Sequence, residues 1–132
     1  MQEYYVSGME RKMGKGTEEE NAQILAGVLA GLLEKYGAEK KDVIKASRLD
    51  NIYAYQIFAG KKNPKREKLI QLAFGFPLSV EDTNMLLQAG GYSALYVRDK
   101  RDAVCMYCLE KKMTLEECNG YMYQVGERTL EE

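Results

Sequence analysis

The chain has 132 residues, a net charge of −1 and a charged fraction of 30%, long enough for one domain with a proper core or for a small domain with an appendage. No apolar run approaches the roughly 18 residues of a membrane span, and the opening MQEYYVSGMERKMGKG lacks the apolar stretch of a secretory signal, so a cytoplasmic protein is expected. There is no histidine, which removes the commonest general base and metal ligand, and the three cysteines are an odd number that suits free thiols better than a disulfide framework.

Residues 1–16 are polar, rich in glycine and without sustained periodicity, the composition of a flexible arm. Thr17-Glu-Glu-Glu20 is a capping box: the threonine oxygen can take a free backbone N–H and Glu20 can reach back. The helix it opens carries Ile24, Leu25, Val28, Leu29, Leu32, Leu33 and Tyr36 on one face and meets Gly37 at its end. A second helix is expected over about 39–47, with Val43 and Ile44 inward, and a third from an Asp50 cap to Gly60, with Ala54, Ile57 and Phe58 inward. Asn63-Pro64 reads as a helix start, asparagine as cap and proline first in the helix, for a fourth helix to about Phe74. Ser79 caps a fifth that ends at Gly90-Gly91. No segment alternates with period two; SALYV, 93–97, is at most one extended piece, and one strand makes no sheet.

The last third repeats what precedes it. Shifted by 35 positions, residues 65–95 align without a gap on 100–130: Lys65 on Lys100, Arg66 on Arg101, Asn84 on Asn119, Gly91 on Gly126 and Leu95 on Leu130 are identical pairs. Each unit is a helix, a short loop, a capping sequence and a second helix, so residues 96–132 are expected to form a second αα-hairpin packed beside the first. The fold class is therefore all-α, five helices over residues 17–95 followed by a C-terminal helical hairpin that repeats the fourth and fifth.

Charge is uneven. Between Ala38 and Lys68 nine Lys/Arg face four Asp/Glu, whereas residues 1–37 sum to −2 and residues 69–132 to −4. A protein that binds DNA needs a basic face rather than a basic total. The basic stretch coincides with AEKKDVIKASRLDNIYAYQIFAGKKNPKR, 38–66, which reads as two short helices joined by a tight turn and closed by a Gly-Lys-Lys-Asn-Pro corner. Two helices so joined can place the second in the major groove of DNA.

These residues, with GKKNP followed by KREKLIQLAFGF, resemble the lambda-repressor-like, or XRE-type, helix-turn-helix family over about residues 21–90. The resemblance implies a five-helix domain whose third helix is the reading helix. It places Asp50, Asn51, Ile52, Tyr55 and Gln56 toward the groove, Tyr53 and Tyr55 on phosphate or sugar, and Lys40, Lys61, Lys62, Asn63 and Lys65 on phosphates. Asparagine and glutamine amides suit adenine, and isoleucine suits a thymine methyl. Three positions depart from the pattern. Ile44 stands where the family usually has a small residue, Ala54 where it usually has a β-branched one, and Arg48 where it has the turn glycine. Arginine disfavours a left-handed backbone, so a turn different in detail is expected.

Other signals carry less. Cys105-x-x-Cys108 lacks the context of a redox motif and the four ligands of a zinc site, and both cysteines are expected to be buried as small apolar residues at the repeat positions of Ile70 and Ala73. Tyr107, Tyr121, Met122 and Tyr123 can line a dimer interface. No catalytic, metal or cofactor constellation is present. The expected partners are double-stranded DNA and a second copy of the chain, with a possible protein partner at the C-terminal hairpin. The alternative is a non-catalytic helical adaptor, or an antitoxin-like protein, that keeps the fold and binds protein.

Overall fold

A computed structural model describes residues 17–131; the expected arm, 1–16, lies outside them. Among the described residues there are seven helices and no strand: α1 (Glu18–Tyr36), α2 (Lys40–Ser47), α3 (Asn51–Phe58), α4 (Arg66–Gly75), α5 (Val80–Ala89), α6 (Lys100–Glu110) and α7 (Leu115–Gln124). The chain is thus all-α, and none of these helices is long and apolar enough to cross a membrane.

Local chemistry explains most boundaries. The Thr17 box closes in both directions, hydroxyl to the Glu20 N–H at 3.0 Å and Glu20 carboxylate to the Thr17 N–H at 3.0 Å. Gly37 ends α1 with φ +59°. Asp50 caps α3 by accepting from the Tyr53 N–H at 2.9 Å. Thr114 and Glu117 form a second two-way box at the start of α7. At α5 the exchange is one-way: Ser79 accepts from the Asp82 N–H, but the Asp82 carboxylate turns instead to Lys35 and Tyr36.

Three expectations are corrected. First, α4 does not start at Asn63-Pro64; its first residue is Arg66 and Lys65 stands at the cap without a side-chain bond. The Pro64 side is buried and its carbonyl accepts the Tyr92 hydroxyl at 2.8 Å, which draws the residue out of the helical path. Second, Ile24 is 42% exposed rather than inward, because the buried stripe of α1 runs through Asn21, Ala22, Leu25, Leu29 and Leu32. Third, Arg48 does adopt the left-handed conformation, φ 63°, at the end of α2, so the turn keeps a glycine-like backbone without glycine. Its guanidinium pairs with Glu131 at 3.1 Å and lies 3.8 Å from Glu116.

Burial runs through one hydrophobic cluster from Leu25 to Leu130. α4 is its axis: Leu69 to Phe74, six residues in succession, are all buried. α2 lies so close to α4 that a Cβ on Gly75 would run into the Val43 backbone carbonyl. Buried Gln71 donates to the Ser47 carbonyl at 3.1 Å across the same contact and satisfies the end of α2.

The two hairpins, α4–α5 and α6–α7, repeat three bonding features at matching positions. Arg66 donates to the carbonyls of Ser93 and Ala94, and Arg101 donates to those of Arg128 and Thr129. Asn84 accepts from the Leu95 N–H and Asn119 from the Leu130 N–H. Gly91 and Gly126 both take positive φ, +90° and +82°. Between the hairpins the ion pairs are crosswise: Arg66 reaches Asp102 at 2.9 Å and Arg101 reaches Glu67 at 2.9 Å. Since 66 corresponds to 101 and 67 to 102, the contact joins like positions reciprocally, as a two-fold contact does.

Candidate functional site

The candidate site grows from α3. Ala54, Ile57 and Phe58 are its buried side, and they hold the helix against the core. The opposite side is left with Asn51 exposed, Ile52 72% exposed and Tyr55 44% exposed, and with Gln56 half-buried. These four, with Ala59 and Lys61, line one shallow concave surface. An amide, an aliphatic side chain, a phenol and an ammonium thus meet around one depression.

The corner after α3 is placed by α1. Gly60 takes φ +80°, and a Cβ there would sit 3.5 Å from the Ala26 side chain and 3.6 Å from the Gln23 backbone. Lys61, Lys62 and Lys65 are exposed, and Asn63 is half-buried with an enclosed Oδ1 that has no hydrogen-bond partner among the described residues. Lys61, Lys62 and Asn63 share a recess with Glu18, Glu19 and Gln23 of α1. The sequence reading missed this acidic neighbour because about 40 residues separate Glu18 from the corner. The two glutamates lower the positive potential on that side, and they sit where the helix N-terminus favours negative charge.

Two of the expected contact residues are placed differently from the rest. Tyr53 is half-buried against the core, and its hydroxyl is pushed above its ordinary pKa by that burial and by neighbouring Tyr92. It supports α3 from the side and is not part of the concave surface. Lys40, first in α2, holds its ammonium 5.7 Å from the centre of the Phe58 ring, so it covers the end of α3 from α2. The structure therefore brings Asn51, Ile52, Tyr55, Gln56 and Lys61 together, sets Lys62, Asn63 and Lys65 in the adjoining corner, and leaves Lys40 and Tyr53 apart.

The chain matches no family model, no curated protein and no solved structure.

The cysteines are core residues. Cys105, Cys108 and Cys118 are all buried. Hydrogen bonding with Cys105, then burial, pushes the Cys118 thiol far above the usual range, and burial raises Cys108 as well. Thiols held protonated are poor nucleophiles. They stand where the first hairpin has Ile70, Ala73 and Thr83, which are buried too.

Proposed function

We propose that the chain is a sequence-specific DNA-binding transcriptional regulator of the lambda-repressor-like, helix-turn-helix kind, which reads the major groove with α3 and binds a two-fold site as a homodimer. The concave surface of Asn51, Ile52, Tyr55, Gln56 and Lys61 carries this reading. Two amides on one outward helical side suit the donor–acceptor pair of adenine, and the exposed isoleucine suits a thymine methyl. Exposed Lys61, Lys62 and Lys65 follow directly, where phosphates flanking a docked helix would lie. One helix of eight residues contacts few base pairs, which is the reason for a two-fold site.

A second reading is favoured by the same helix. Ile52 and Tyr55 are unusually apolar for a reading helix, and Asp50 at its start would repel phosphate. These features suit a helical adaptor, or an antitoxin-like protein, that binds protein through α3.

Selection from a randomised duplex pool, followed by binding measured against salt, separates the two. The regulator enriches one motif, and log K falls steeply and linearly with log salt. Lys61→Ala with Lys62→Ala weakens all sequences and makes the salt slope shallower by about two. A pool without an enriched motif, together with binding unaffected by the double variant, would leave the adaptor reading standing.

A further inference from the structure

The C-terminal hairpin exposes what its twin buries. Leu72 of α4 and Leu86 of α5 are fully buried, and 35 positions on they correspond to Tyr107 and Tyr121. Tyr107 is 42% exposed and Tyr121 half-buried. Their rings meet edge to face with centroids 5.4 Å apart, and the Lys111 ammonium stands 5.7 Å from the Tyr107 ring centre. In the first hairpin the rest of the chain closes over these positions, α2 lying on α4 and α1 on α5. Among the described residues no helix before α4 packs comparably on α6 or α7. Tyrosine is the side chain that tolerates this position in water and also anchors an interface when covered.

We propose that a second copy of this chain covers this face, the two C-terminal hairpins packing about a two-fold axis with Tyr107 and Tyr121 at the centre. Two observations choose this occupant. Inside one chain, hairpins of this design already pair reciprocally, through Arg66–Asp102 and Arg101–Glu67. The face also carries both signs, Lys111 exposed at the C-cap of α6 and Glu117 exposed on α7, so that its own copy offers an opposite charge to each. A partner of one sign, such as nucleic acid, gains no net attraction there. A face of two short helices is smaller than a permanent interface, so the dimer is reversible.

Sedimentation equilibrium of the full chain tests the proposal without DNA, and so independently of the reading of α3. The wild type is expected to show a monomer–dimer equilibrium. Tyr107→Lys raises its dissociation constant by at least about ten-fold, the usual scale for a central aromatic anchor. Lys111→Glu raises it more mildly. Tyr123, grouped with Tyr107 and Tyr121 in the sequence reading, is 81% exposed and two residues past Tyr121 on α7, hence on another side of the helix, and Tyr123→Ala leaves the dissociation constant unchanged. Far-ultraviolet circular dichroism at low temperature serves as the folding control, and the substitutions at Tyr107 and Tyr123 are expected to keep the wild-type helical content. A wild type that stays monomeric to about 1 mM, or a dimer indifferent to Tyr107→Lys, or one weakened equally by Tyr123→Ala, overturns the proposal.

Discussion

Arg48 holds the turn between α2 and α3 with a backbone that side chains rarely adopt, φ 63°. For a residue with a Cβ the left-handed region costs roughly 1–2 kcal/mol. The ion pair with Glu131 offsets little of this, since both groups are partly solvated. Two substitutions separate backbone from side chain. Arg48→Val retains the strain, worsens it by β-branching and loses the pair; urea denaturation is expected to show a loss of about 1–2 kcal/mol. Arg48→Gly relieves the strain and adds a smaller chain entropy to the unfolded state, about 0.5–1 kcal/mol, so it is expected to be neutral to slightly stabilising. The sequence showed that arginine fits poorly here. It did not show that the turn would keep its shape, because that depends on Val43, Leu49 and Ala54 being packed on either side.

At the scale of elements, capping and periodicity made the helices legible. Thr17, Asp50, Ser79 and Thr114 each cap the helix that follows, as their spacing to the next N–H groups demands. The Thr114 box serves an α7 that begins at an exposed corner, so Thr114→Ala is expected to lower stability by about 1 kcal/mol while leaving helical content at low temperature unchanged, as read by thermal melts followed by circular dichroism. The start of α4 was misread for a reason visible only in three dimensions: Tyr92, 28 residues away, takes the Pro64 carbonyl. The candidate surface was partly legible in the same way. Helical spacing separated Asn51, Ile52 and Tyr55 from Ala54 and Ile57, whereas the acidic recess at Glu18 and Glu19 and the inward placement of Tyr53 depend on how α1 and α3 pack.

For the whole molecule, the link between α1 and α5 sets a pH dependence. Burial alone would raise the Asp82 carboxyl, but the Tyr36 hydroxyl at 2.7 Å, the Lys35 ammonium at 2.9 Å and Ser79 outweigh it and hold the carboxyl below its ordinary value. A carboxyl lowered by folding contributes stability above its unfolded value of 3.8 and loses it as the pH falls through the folded value. Asp82→Asn is therefore expected to cost about 1–2 kcal/mol near neutral pH, the worth of a charged hydrogen bond. The gap to wild type closes as the medium is acidified below about pH 4. Chemical denaturation across pH 2–7 checks it; a gap that stays constant across that range would assign the cost to shape rather than charge.

By itself, the sequence determined the all-helical class, the starts of α1, α2, α3 and α5 to within a residue or so, the duplicated hairpin and the concentration of positive charge between Ala38 and Lys68. All of these are consequences of short-range chemistry: a cap and its N–H, a stripe every three or four residues, a glycine that can take positive φ. Only the tertiary structure decided that Tyr53 turns inward and that Glu18 and Glu19 flank the lysine corner, that Arg48 is tied to the C-terminal hairpin, and that Tyr107 is exposed and Tyr121 half-buried where Leu72 and Leu86 are fully buried. The two hairpins carry nearly the same local code. Their fates differ because burial belongs to the packing of distant elements, with α2 and α1 packed closely on one hairpin and, among the described residues, no helix before α4 packed comparably on the other.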